Sequence, residues 1–121
     1  MQKKKHSVLI VDDSHYMRAS IRNVLQDTGY HIIGEARNGE EALDMAFELQ
    51  PDIITLDNTL PDMIGTDILK VFRKRALRSR IIIISAYAQD FSVVEGLSYG
   101  ADGYLTKPFR PEELLRLVLG D

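Results

Sequence analysis

Four isoleucines in succession, Ile81–Ile84, stand between Arg80 and Ser85, and no other stretch limits the fold so strongly. Side chains of an extended strand alternate between faces, so a four-residue apolar run is apolar on both. Such a strand needs cover on each side, which a parallel sheet between two layers of helices supplies. The run "VLIV" at Val8–Val11 reads the same way. Five strands are predicted: "SVLIVD" (7–12), "HIIGEA" (31–36), "DIITLD" (52–57), "RIIIIS" (80–85) and "GYLTK" (103–107).

The segments between them repeat at helical spacing. "SHYMRASIRNVLQDT" puts Met17, Ile21, Val24 and Leu25 on one face, and Gly29 suits its stop. "EEALDMAFEL" does the same with Ala42, Leu43, Ala46 and Phe47. "GTDILKVFRKRAL", "DFSVVEGLSYG" (90–100) and "PEELLRLVLG" (111–120) complete five helices, the last opening on proline and closing on glycine. Five βα units predict a doubly wound α/β fold, with Met17, Met45 and Met63 as core filler.

Composition narrows the function classes. A chain of 121 residues, 45% hydrophobic, suits one domain over 1–121, with the basic start "MQKKKH" as a flexible tail over 1–6. Fifteen basic against 18 acidic residues, a net charge of −3, offer no broad basic surface, so direct nucleic-acid contact is not expected. The four apolar residues before Asp12 are too few for a membrane span. The lack of cysteine excludes disulfides and thiolate metal sites and fits a cytoplasmic protein. His6, His15 and His31 lack metal-ligand spacing, and His15 is expected to face solvent.

Ligands of such sheets bind beyond the carboxyl ends of the strands. There the sequence sets Asp12 and Asp13 after the first strand, Asp57 at the end of the third, Ser85 after the fourth, and Thr106 and Lys107 after the fifth. With the strand order 2-1-3-4-5, the first and third strands lie about 4.8 Å apart, and three carboxylates crowd together. A single aspartate at a strand end is often only a turn former or helix cap. Three that converge repel one another, and a hard divalent cation with oxygen ligands, Mg²⁺ above all, relieves the repulsion.

These residues carry a family resemblance. The double aspartate, the lone aspartate of "LDNTLPDMIG", the "SAY" after the fourth strand and the "KPF" after the fifth resemble the receiver domain of response regulators, and among them the CheY-like single-domain receivers. The resemblance spans nearly the whole chain and supports the strand order as much as the apolar pattern does. It implies that Asp57 accepts a phosphoryl group from a histidine kinase or histidine phosphotransfer protein. It implies that Asp13 binds Mg²⁺ directly, Asp12 largely through water, and Thr59 through its backbone carbonyl. Lys107 would neutralise a phosphoryl oxygen, with a cis bond to Pro108 behind it. Ser85 and Tyr104 would form the switch, acting on a surface of the fourth helix, fifth strand and fifth helix, with Val93, Val94, Leu97, Tyr104, Leu114 and Val118 as candidates. Thr59 and Tyr87 flank the phosphoryl position, and the bulk of Tyr87 is expected to slow hydrolysis. Asn58 is polar where an apolar residue is more usual in the family.

The resemblance further implies a monomer able to dimerise on phosphorylation, although "ELLRLVLG" is needed first to dock its helix. The target it admits is a flagellar motor switch in chemotaxis, a phosphotransfer protein, or a kinase that uses the chain as a phosphate sink. Three rivals stand beside this reading. A haloacid-dehalogenase-like phosphatase also uses an aspartyl phosphate, but needs a second aspartate two residues after its nucleophile, where this chain has Ser14. The chain could also be a receiver excised from a longer regulator with an output domain. A binding-only module fits least, because Asp12, Asp13, Asp57, Ser85 and Lys107 are all present.

Overall fold

The computed structural model describes residues 6–26, 28–87 and 97–120. In chain order the elements are β1 (Ser7–Val11), α1 (His15–Gln26), β2 (His31–Ala36), α2 (Gly39–Leu49), β3 (Ile53–Asp57), α3 (Gly65–Lys74), β4 (Arg80–Ser85), β5 (Gly103–Thr106) and α4 (Pro111–Leu119). The five strands form one sheet in the order β2-β1-β3-β4-β5, every pairing parallel. This is the doubly wound, flavodoxin-like topology expected. Four helices are described where five were expected; the segment 90–100 lies mostly outside the described residues, with Leu97 and Ser98 helical at its end. Of the basic start, only His6 is described, and it is exposed.

The isoleucine run does what its alternation demands. Ile81 and Ile83 enter one apolar layer with Leu9, Ile54 and Leu56, packed by Ala42 and Ala46 of α2 and Ile68, Leu69 and Phe72 of α3. Ile82 and Ile84 enter the other with Val8 and Ile10, packed by Ile21 and Leu25 of α1 and Leu114 and Val118 of α4. All four isoleucines are at most 1% exposed, so the centre of the sheet is dry on both faces and the loops at its two ends are left to carry polar chemistry. Met17, Met45 and Met63 pack against these layers as filler. Leu114 and Val118, candidates for a partner surface, prove to be core residues at 0% and 3% exposure. Docking α4 onto the sheet consumes them, and Leu119 is the exposed leucine of that helix.

Helix ends fix the loops around the carboxyl edge. Ser14 Oγ accepts the Met17 amide at the start of α1. Asn38 Oδ1 accepts the Glu41 amide at the start of α2. α2 receives a second cap from far along the chain, because Asp62 takes the amides of Gly39 at 2.7 Å and Glu40 at 3.0 Å. These backbone donors, Gly39 first, hold the Asp62 carboxyl below the usual carboxylate range.

Candidate phosphoacceptor and metal site

Asp12, Asp13 and Asp57 meet at the carboxyl ends of β1 and β3, each offering one oxygen within 4.8 Å of the others. Asp12 and Asp57 are buried and Asp13 is exposed, so the cluster is a buried pair with one arm in solvent. The backbone sets this up: the Asp12 amide donates to the Ala36 carbonyl of β2, while Ile10 and Val11 pair with Thr55 and Leu56 of β3. β1 and β3 therefore deliver their aspartates side by side.

The cation is Lys107, directly after β5. Its Nζ lies 2.9 Å from Asp12 Oδ2 and 3.6 Å from Asp57 Oδ1, and its amide donates to the Ser85 carbonyl at 2.7 Å. The Lys107–Pro108 bond is cis, as the resemblance implied. Asp12 has both carboxylate oxygens engaged, Oδ1 by the Ser14 amide at 2.9 Å and Oδ2 by Lys107. Asp57 receives the Thr59 amide at 3.1 Å. Burial pushes the Asp57 carboxyl up to about 6, and the negative charge of Asp12 adds to this. The Thr59 amide and Lys107 oppose the shift without cancelling it. One lysine does not balance three acids, and the donor set, all hard oxygen, suits a divalent cation such as Mg²⁺.

The remaining expected residues fall into two groups. Thr59 is exposed, bridged to Ile64 across a tight loop that begins at Asp57. Asp57 pairs with Ile84, so Ser85 stands one residue further along the neighbouring strand. Ser85 is fully buried, and its Oγ accepts the Tyr87 amide at 3.1 Å. The Tyr87 carbonyl in turn accepts the Tyr104 hydroxyl at 3.0 Å, and Thr106 Oγ1 donates to that hydroxyl at 2.8 Å. Ser85 and Tyr104 are thus joined through the main chain of Tyr87, whose own side chain is 64% exposed. His15 is exposed, as expected.

Several residues that shape the site were given no role by the sequence reading. Asn58, 3% exposed, accepts the Thr66 amide on Oδ1 at 3.2 Å, and its backbone carbonyl accepts the Gly65 amide at 2.8 Å. It caps α3, whose own N-cap residue Ile64 has no side chain to offer, and this explains a polar residue at an apolar position. Gly65 is required there, since a Cβ would lie 2.7 Å from the Asp57 carbonyl. Arg18 is 8% exposed and donates through Nη1 to the Asp12 carbonyl at 2.7 Å and through Nε to Glu35 at 3.2 Å. A signal for it did exist: Arg18 falls on the stripe of Ile21 and Leu25, at the end nearest the acids.

Comparison with known proteins bears on this geometry directly. The model of the response regulator receiver domain family matches residues 8–119. The chain is 41% identical over 111 residues to the chemotaxis protein CheY of Thermotoga maritima, covering 92% of each. The solved CheX–CheY complex of Borrelia burgdorferi, holding BeF₃ and Mg²⁺, matches with a TM-score of 0.89 and 33% identity, over 94% of this chain and 87% of that one. The response regulator domain of Thermotoga maritima CheB matches with a TM-score of 0.85 and 31% identity, over 97% and 96% of the two chains.

Proposed function

Since the chain belongs to the response regulator receiver family, we propose that it is a phosphoacceptor of two-component signalling, Asp57 taking its phosphoryl group from a histidine kinase or a histidine phosphotransfer protein. The observation that carries this reading is the convergence of Asp12, Asp13, Asp57 and Lys107 at one end of the sheet. An oxygen of the Asp57 carboxylate attacks phosphorus, the P–N bond to the donor imidazole breaks, and an acyl phosphate forms. A carboxyl held near 6 is an anion at neutral pH, yet a less stabilised and more basic one than a solvated aspartate.

Asp12, Asp13, Asp57 and the Thr59 carbonyl would hold Mg²⁺, which when bound offsets the acids and draws charge from the transferring group. Lys107, as a compact point charge beside Asp57, serves a phosphoryl oxygen. The chain is a signalling protein rather than an enzyme with an outside substrate, and it assists only its own phosphorylation and dephosphorylation.

The phosphoryl group brings about −1.5 to −2 units of charge and strong acceptors. The Ser85 hydroxyl turns to them, the Tyr87 peptide follows, and the Tyr104 hydroxyl loses or keeps its acceptor accordingly. The surface that responds is formed by β5, α4 and residues 97–100, where Leu97 and Tyr99 are each 46% exposed. Val93 and Val94 lie outside the described residues. Its downstream target is a protein, for which a flagellar motor switch is the candidate; the likeness to chemotaxis proteins supports a chemotaxis role. The protein acts in the cytoplasm as a monomer that can dimerise when phosphorylated, without direct contact with nucleic acid or membrane. No described helix is long and apolar enough to cross a membrane.

The test is intact mass after incubation with a small-molecule phosphodonor, with and without Mg²⁺, on the native chain and on Asp57→Ala. One metal-dependent, hydrolysable phosphoryl group that is lost in the variant supports the reading. No phosphorylation of the folded native chain would move the function to a binding-only module. A second reading, a receiver belonging to a longer regulator, draws on the CheB match, which is to one domain of that protein; the native reading frame decides it.

A further inference from the structure

Behind the acids lies a buried cation that the phosphotransfer chemistry leaves unused. Burying a guanidinium costs several kcal/mol unless its donors are matched, and an apolar side chain would pack α1 against the sheet at less cost. Arg18 is 8% exposed, and its donors go to two places: Nη1 to the Asp12 carbonyl at 2.7 Å and Nε to Glu35 Oε1 at 3.2 Å. Glu35, on β2, is held at its other oxygen by Arg22 Nε at 3.0 Å. Burial would raise the Glu35 carboxyl, but the hydrogen bonds and charges of Arg22 and Arg18 outweigh it and keep the carboxyl below its usual range, hence ionised.

The carbonyl that Arg18 grips belongs to the planar peptide joining Asp12 to Asp13. Fixing that plane narrows the directions in which both side chains leave the backbone. A bare arginine so close to the acids would also compete electrostatically with a bound cation, and the ionised Glu35 offsets that charge while leaving the donor in place. We propose that Arg18 is a positioning residue: clamped by Glu35, it orients the Asp12–Asp13 peptide so that the two carboxylates and Asp57 are spaced for a divalent cation. This rests on the reading of the acids as a Mg²⁺ site.

The experiment titrates Mg²⁺ alone into the metal-free protein by calorimetry, with the backbone amide resonances of Asp13 and Asp57 as a second readout. The proteins are the native chain, Arg18→Met, Arg18→Lys and Arg22→Met. Removing a group that orients metal ligands costs about 10- to 100-fold in metal affinity, and Arg18→Met is expected in that range. Arg18→Lys, which reaches the carbonyl or Glu35 but not both, loses less. Arg22→Met touches Glu35 alone and stays near the native value. Phosphorylation of Arg18→Met returns to the native rate at saturating Mg²⁺, since only the metal's affinity has changed. Native affinity in a folded Arg18→Met, or in Arg18→Lys should the first fail to fold, overturns the proposal. So does an equal loss in Arg22→Met, which would mark a general packing effect of α1 on β2. A native chain that takes up no Mg²⁺ overturns the metal site itself, and the positioning role with it.

Discussion

Strand β3 is bracketed by two aspartates in opposite surroundings. At its amino end Asp52 accepts the Ser7 amide at 2.9 Å and the Ser7 hydroxyl at 3.2 Å, and its own amide donates back to Ser7 Oγ at 2.9 Å. Its carbonyl takes the Arg80 amide at 2.8 Å. At the carboxyl end Asp57 is 3% exposed and faces Asp12 and Asp13, with one amide at 3.1 Å and a lysine at 3.6 Å in compensation. The amino end of the sheet matches donors to acceptors and completes the fold. The carboxyl end leaves acid charge uncompensated, and that deficit is an affinity for a cation and for a phosphoryl group. Stability and function thus occupy opposite ends of one strand.

The comparison breaks most easily through those two carboxylates. Asp57→Asn keeps the shape and removes the charge, so in metal-free protein at neutral pH it is expected to stabilise the fold by about 2 kcal/mol. Asp52→Ala leaves the Ser7 amide without its acceptor and is expected to destabilise by about 2 kcal/mol. Urea denaturation in a chelating buffer reads both, and shifts of the same sign would show that the two ends do not differ as described.

The pH dependence sharpens the point. The Asp57 carboxyl, at about 6 in the folded chain against 3.8 as the ordinary value, binds its proton more tightly when folded. Its contribution to stability is therefore fully present below 3.8 and is lost as pH rises through about 6. The advantage of Asp57→Asn over the native chain should shrink towards nothing as pH falls through that window. An advantage that persists unchanged at the acid end would remove Asp57 ionisation as its cause.

What could be read from the sequence divides along similar lines. The strands were legible to within a residue or so at each end, because runs such as Ile81–Ile84 admit no helical alternative in a chain cut this often by turns. Where those runs stop, Asp12, Asp13, Asp57, Ser85 and Lys107 follow, so locating the strands located the site. Polar contacts around the site were harder to read. Asp62 capping Gly39 joins segments whose approach only the packed fold defines, while Asn58 capping Thr66 and Arg18 gripping Asp12 depend on how a loop or helix turns back on its own strand. Beside the bulk of its side chain, Tyr87 has a role in its main chain, whose amide and carbonyl carry the link from Ser85 to Tyr104. Backbone groups are the same for every residue type, so no sequence pattern could single that role out.

Two smaller predictions probe the ground between the ends. Thr55 sits in mid-strand between Ile10 and Ile82, and its Oγ1 is, among the described residues, the one buried side-chain polar atom without a hydrogen-bond partner. Thr55→Val replaces that hydroxyl with a methyl group of similar size and is expected to stabilise by about 1–2 kcal/mol, read as a raised urea midpoint with unchanged slope. A loss of stability would mean that the hydroxyl is serviced and that the deficit of polar partners is not confined to the carboxyl edge.

Asn58 tests the edge itself, since it is buried beside Asp57 yet belongs, by its contacts, to the satisfied class. Removing it in Asn58→Ala takes away the acceptor for the Thr66 amide and is expected to cost about 1 kcal/mol, the usual loss for a helix cap. The metal-dependent phosphorylation of Asp57 should survive, because the Asn58 side-chain and backbone oxygens accept the Thr66 and Gly65 amides of α3. If phosphorylation instead fell as far as in Asp57→Ala while the fold held, capping α3 and shaping the phosphoacceptor would be one task, and the division between completed and uncompensated polar groups would have to be drawn inside the loop that follows β3.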